Sequence, residues 1–159
     1  MPLDQDLFRS VLGRFATGVT IVTVQDAEGR DHGMTVSAFS SLSLEPSMIL
    51  VCIDRAASML GALKDGTWFT VNILSASQEA LSRRFAKLDA EVRFDGIGFS
   101  RGTHGAPILD DVLAHLECSV KTTYDGGDHA IIVGVVEHAA TKEDRPLLYY
   151  RGGYAQLER

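Results

Sequence analysis

The chain predicts an antiparallel β-barrel with helices packed on its outside. Three observations carry that reading: short runs rich in β-branched residues, tight polar turns between most of them, and no alternating strand–helix rhythm of a doubly wound sheet. About six or seven strands and three helices can be counted. A length of 159 residues fits one domain, 1–159, large enough to bury a substantial core.

Phe8, Val11, Leu12 and Phe15 recur at helical spacing, which predicts an amphipathic helix over 4–16. Gly18 then releases the chain into a β-branched strand, 19–24. The polar turn 26–31 folds 32–36 back as a hairpin. The unbroken apolar run 48–53 reads as a strand buried on both faces. A short helix follows with Met59, Leu60 and Leu63 inward, and then a strand over 67–74. Ser75-Ala-Ser-Gln78 is a capping box for a helix that carries Leu81 and Phe85 on one face. Residues 89–111 have no clean period and read as a long loop. Strands return over 113–124, 129–139 and 147–150.

Composition narrows the function classes. Fifteen Lys+Arg against 21 Asp+Glu leave a net charge of -6, so no basic field for nucleic acid exists. No apolar run approaches the ~20 residues that cross a bilayer. The first residues lack the basic start and apolar core of a signal peptide, and a cytoplasmic location is expected. Cys52 and Cys118 lie in apolar, strand-like surroundings and are expected as two buried thiols rather than a disulfide. No Cys or His spacing of a metal motif occurs, and no metal is expected.

The densest chemistry lies in 33–46, where Thr35, Ser37, Ser40, Ser41 and Ser43 place five hydroxyls in nine positions. Hydroxyls populate strand edges and turns, and they equally suit a phosphate or a polar ring. Ser58 either caps its helix or offers a hydroxyl, with helix N–H groups and Arg55, to a phosphate. Asn72, between Val71 and Ile73, is a structural pin or a ligand contact, because a buried amide needs partners. Arg83 and Arg84 suit a solvated helix end. Gly126-Gly-Asp-His129 suits a tight hairpin, and it also sets an ionisable ring at the mouth of an apolar strand.

Together with Asn72-Ile-Leu74, Phe85-Ala86 and Gly127-Asp-His129, the hydroxyl run resembles the flavin reductase-like domain family over 8–155. The resemblance implies a mainly β, Greek-key, FMN-binding split β-barrel with peripheral α-helices, which passes hydride from NADH or NADPH to FMN or FAD. It implies cofactor contacts from Thr35, Val36, Ser37, Ala38 and Ser41, with backbone N–H groups of 38–41 facing the ring's growing negative charge. Further implied contacts are Cys52, Asp54, Ser58, Asn72, Ile73, Leu74, Arg84, Phe85 and Tyr154, with Tyr150 as an alternative to Tyr154. His129 is implied on the nicotinamide side as the catalytic residue. A homodimer and a separate oxygenase that takes the reduced flavin are also implied. The missing Gly-x-Gly-x-x-Gly run agrees, since this group does not use one. Two alternatives stand beside it: a non-catalytic flavin carrier, and another split-barrel oxidoreductase of the pyridoxamine-phosphate oxidase-like or haem-handling kind.

Overall fold

The computed structural model describes residues 1–158. Helix α1 (Gln5–Leu12) starts at Asp4, whose carboxylate accepts the Leu7 N–H at 3.1 Å. It is shorter than the expected 4–16, because the Gly13 N–H closes on Arg9 O and the next residues form tight turns. Twelve strands follow: β1 (Thr17–Gly18), β2 (Thr20–Gln25), β3 (Asp31–Val36), β4 (Phe39–Leu44), β5 (Ser47–Asp54), β6 (Trp68–Ile73), β7 (Phe99–Arg101), β8 (Pro107–Leu109), β9 (Ala114–Gly126), β10 (His129–Thr141), β11 (Leu147–Tyr150) and β12 (Gly153–Gln156). Helix α2 (Glu79–Lys87) follows the predicted capping box, in which Gln78 Oε1 accepts the Ser75 N–H at 3.0 Å.

Seven strands form one antiparallel sheet in the order β3-β2-β6-β9-β10-β5-β4. Its edge strands, β3 and β4, are consecutive in the chain and joined by Ser37 and Ala38 alone. A two-residue link between opposite edges forces the sheet to curl into a barrel, and the Cys52 N–H donates to Ala38 O at 3.0 Å, extending the β4–β5 ladder into the link. The barrel interior holds Val22, Val24, Val51, Ile53, Phe69, Val71 and Ile132. A second apolar cluster, with Ile21, Leu74, Phe85, Leu109 and Leu147, packs the outer elements on the sheet. Gly134 makes room for this interior, since a Cβ there would stand 2.7 Å from the Phe69 ring.

The mainly β barrel with outer helices is as expected, and five details differ. The hydroxyl run spans the end of β3, the link and β4, which holds Ser40, Ser41 and Ser43, and the 89–111 loop contains the β7–β8 hairpin, because hydrogen-bonded strands of three to six residues leave little periodicity. The first inner helix is a five-residue 3-10 turn, Ser58–Ala62. β5 is not buried on both faces: Ile49, Val51 and Ile53 point inward while Met48, Leu50 and Cys52 are half-exposed. Both cysteines are free, but only Cys118 is buried, and burial with the adjacent Glu117 charge pushes its thiol up to about 12. Among the described residues, no helix is long and apolar enough to cross a membrane.

Candidate functional site

Three segments meet at one end of the barrel. β3 brings His32, Gly33 and Met34, the corner after β5 brings Asp54 to Met59, and Arg93 closes the third side. They line a cleft of about 410 Å3. Neighbouring depressions share His32 and Ser58, so the groove continues past this corner.

The β5–β10 ladder sets His129 opposite Asp54, which brings the Gly-Gly-Asp-His turn beside the cleft. Arg55 fastens the two: its N–H donates to Asp128 O at 3.0 Å, its Nε to Gly127 O at 2.9 Å, and its guanidinium pairs with Asp125. His129 Nδ1 lies 2.8 Å from Asp128 Oδ1, and this bond holds the Asp128 carboxyl below the usual carboxylate range. A similar pairing orients His32, whose Nε2 is 2.8 Å from Asp26. The His32 bond, followed by backbone donors from Arg30 and Glu28, holds Asp26 well below its ordinary value.

On the other side of β3, Thr35, Ser37, Arg83 and Tyr154 line a second cleft of about 310 Å3. Thr35 Oγ1 donates to Ser82 O at 2.7 Å, and the Ser82 and Tyr154 hydroxyls are 2.7 Å apart. The Arg83 guanidinium lies over the Tyr154 ring at 4.8 Å.

The expected site residues therefore fall into groups. Asp54 and Ser58 line the first cleft, and His129 lies opposite Asp54 on the β5–β10 ladder without lining it; Thr35, Ser37 and Tyr154 gather at the second. Ala38 and Ser41 stand exposed at the β4 edge, and Cys52 is half-buried behind them. Tyr150, the alternative to Tyr154, is exposed and lines neither cleft.

Several side chains are spent elsewhere. Val36, Leu74 and Phe85 are core residues, and Ile73 packs against the barrel interior. Asn72 is fully buried with its amide bonded within the protein: its Nδ2 donates to Ile21 O at 2.9 Å and to Thr23 Oγ1 at 3.0 Å, and its Oδ1 accepts the Leu109 N–H at 3.0 Å. Arg84 shapes the 92–95 turn by donating to the carbonyls of Arg93, Val92 and Asp95. Asp54 Oδ1 accepts the Ala56 N–H at 2.8 Å, a turn role that suits its charge better than contact with an anion. Ser58 does not cap, because Ala57 holds the N-cap position. Of the backbone donors at 38–41, the Phe39 N–H is already spent on Ser37 O at 2.9 Å.

Arg93 and His32 are residues the sequence reading passed over. Arg93 Nη1 donates to Gly33 O at 2.8 Å, and its burial lowers its pKa against the opposing Asp89 charge. A lone arginine in an unpatterned stretch carries no signal of such a role.

The family model for the flavin reductase like domain matches residues 12–158. The chain belongs to that family. A flavin reductase relative from Rhodococcus jostii, the reductase subunit HsaB of a flavin-dependent monooxygenase, is 40% identical over 98% of this chain and 80% of its own length. A solved nitrilotriacetate monooxygenase component B homologue from Mycobacterium thermoresistibile superposes with a TM-score of 0.92 at 39% identity, covering 98% of this chain and 87% of the other. The NADH:FAD oxidoreductase SgcE6 of Streptomyces globisporus, solved with NAD and FAD fragments, gives a TM-score of 0.90 at 36% identity, covering 97% of this chain and 93% of that one. The barrel is thus the split barrel of the flavin reductase family, whose members are similar along nearly the whole chain.

Proposed function

We propose that the chain reduces FMN or FAD with NADH or NADPH and supplies the reduced flavin to a separate monooxygenase. The observation that carries the reading within the molecule is the ladder that sets His129 opposite Asp54. It brings the one exposed-mouth histidine motif to the corner where Ser58, Arg93 and an apolar wall of Met34 and Met59 line a cleft. That donor set fits a flavin. The N–H groups of Ser58 and Met59 precede the first bond of the 3-10 turn, Leu60 N–H to Ala57 O, and so have no acceptor within it. With the Ser58 hydroxyl and Arg93 they suit a phosphate. Thr35, Ser37 and the open edge of β4 offer further polar groups along the same strand connection.

When bound, the flavin supplies a hydride-accepting ring. The chain's own residues bind, orient and exclude water. His129 holds the nicotinamide in line, with Asp128 fixing the orientation of its ring through Nδ1. No side-chain nucleophile is required. The free thiols of Cys52 and Cys118 fit the expected cytoplasmic location.

A homodimer also belongs to this reading, and α1 supports it. Leu7, Phe8, Val11, Leu12 and Phe15 are all more than half exposed on this protomer, forming an apolar stripe that a second copy would cover. Phe8→Asp is expected to halve the mass measured by light scattering. An unchanged mass would remove α1 from the interface.

The function is tested by following NADH and NADPH oxidation with and without added FMN or FAD. Oxidation that requires both protein and flavin is expected. Flavin binding without oxidation would favour the carrier alternative, and a haem spectrum would favour the other split-barrel one.

A further inference from the structure

We propose that His104, Glu137 and His138 bind one divalent first-row transition-metal ion, of the class of zinc(II) or nickel(II), on the outer face of the barrel. Their ligand atoms all lie within 4.8 Å of one another. The site is separate from the flavin clefts: Glu137 and His138 sit toward the opposite end of β10 from His129.

Two devices assemble it. The first is a bulge in β10. Val136 pairs with Cys118 and His138 with Glu117, which leaves Glu137 without a partner on β9. Successive residues of a regular strand point to opposite faces, and an extra residue re-aims them. Glu137 and His138 thereby reach one point although they are adjacent in sequence. The second device holds His104. Its ring stacks on Trp68 at 3.6 Å with an interplanar angle of 9°. Its turn is fastened by Gly102 N–H to Ala106 O at 2.9 Å and by Thr103 N–H to Glu117 Oε1 at 2.7 Å. Glu117 is the ladder partner of His138, so one residue ties the two halves of the site together.

Two imidazoles and one carboxylate suit a borderline ion, whereas calcium and magnesium favour all-oxygen shells. Donors about 2.1 Å from zinc in a tetrahedron stand about 3.4 Å apart, so the cluster must tighten slightly. Glu137 and His138 are exposed and free to make that turn, while the stacked His104 is already in place. Water completes the coordination. The 32 residues between His104 and Glu137 explain why no sequence motif announces the site.

Trp68 is the only tryptophan, so its emission reports directly on the stacked His104. Tag-free, chelator-treated protein is titrated with nickel(II) while Trp68 fluorescence is followed. We expect saturable quenching at one equivalent, with micromolar affinity or tighter, and reversal by zinc(II). His138→Ala should weaken binding at least tenfold and Glu137→Gln should weaken it as well. Zinc(II) should raise the melting temperature of the wild type and leave that of His138→Ala unmoved. Both variants are at exposed positions, so the fold is retained, and far-UV circular dichroism checks it. Absent saturable quenching, or wild-type titrations in both variants, would overturn the site.

Discussion

Asn72→Ala is expected to destabilise the protein by about 3 kcal/mol, from one orphaned backbone N–H at about 1–3 kcal/mol and the cavity left by a fully buried side chain. The orphan is the Leu109 N–H, which donates to the fully buried amide, whereas Ile21 O keeps its place in the β2–β6 ladder opposite residue 72. Thr23 Oγ1 loses a donor too, although it still donates to Pro107 O at 2.6 Å. Three strands are tied at this point, β2, β6 and β8, so the loss loosens the hairpin that carries Leu109 as well as the sheet. Asn72→Leu keeps the volume but leaves the same Leu109 N–H unpaired, and should lose a comparable amount. At about 2–4 °C per kcal/mol for a chain of this size, the melting temperature falls by about 10 °C. Urea denaturation measures it, and a loss below about 1 kcal/mol would show that water or a shifted hairpin satisfies this group.

His129→Ala is expected to slow hydride transfer, or raise the KM for NADH, by roughly tenfold to a hundredfold, the scale for misplacing one reactant. Flavin affinity should hardly change, because the phosphate-facing groups proposed here are Ser58 and Arg93, on other segments. Asp128→Asn serves as the positioning control. It keeps a hydrogen-bonding side chain beside Nδ1 but removes the charge that His129 now lies against at 2.8 Å. A smaller loss of rate is expected from it, again without a change in flavin binding. Rates equal to wild type in His129→Ala would return this histidine to a turn residue.

How far the sequence could be read depended on how many neighbours each signal needs. The capping box at Ser75, the β2–β3 hairpin and the β10 strand rest on local spacing, and each appears where the pattern puts it. The family resemblance, carried by several short motifs in order, led to the split barrel that periodicity alone left as a generic antiparallel one. Side-chain roles were less legible. Asn72 looks the same in sequence whether it meets a ligand or pins three strands, and the Leu109 N–H is brought over it only by the β7–β8 hairpin. Arg84 and Arg93 exchange roles for a similar reason: which arginine faces a cleft depends on how the 88–95 turn folds. The His104, Glu137 and His138 cluster exists only through the β10 bulge, which has no sequence signature here.

The proposed step is hydride transfer from NADH to a flavin bound by this chain. Anaerobic stopped-flow mixing of the flavin-loaded protein with NADH, and with NADH deuterated at either face of nicotinamide C4, measures that step alone. Saturable loss of oxidised-flavin absorbance is expected, far faster than in free solution and slowed by deuterium on one face only. Reduction no faster than the uncatalysed mixture, or insensitive to deuterium on both faces when chemistry is rate-limiting, would contradict it.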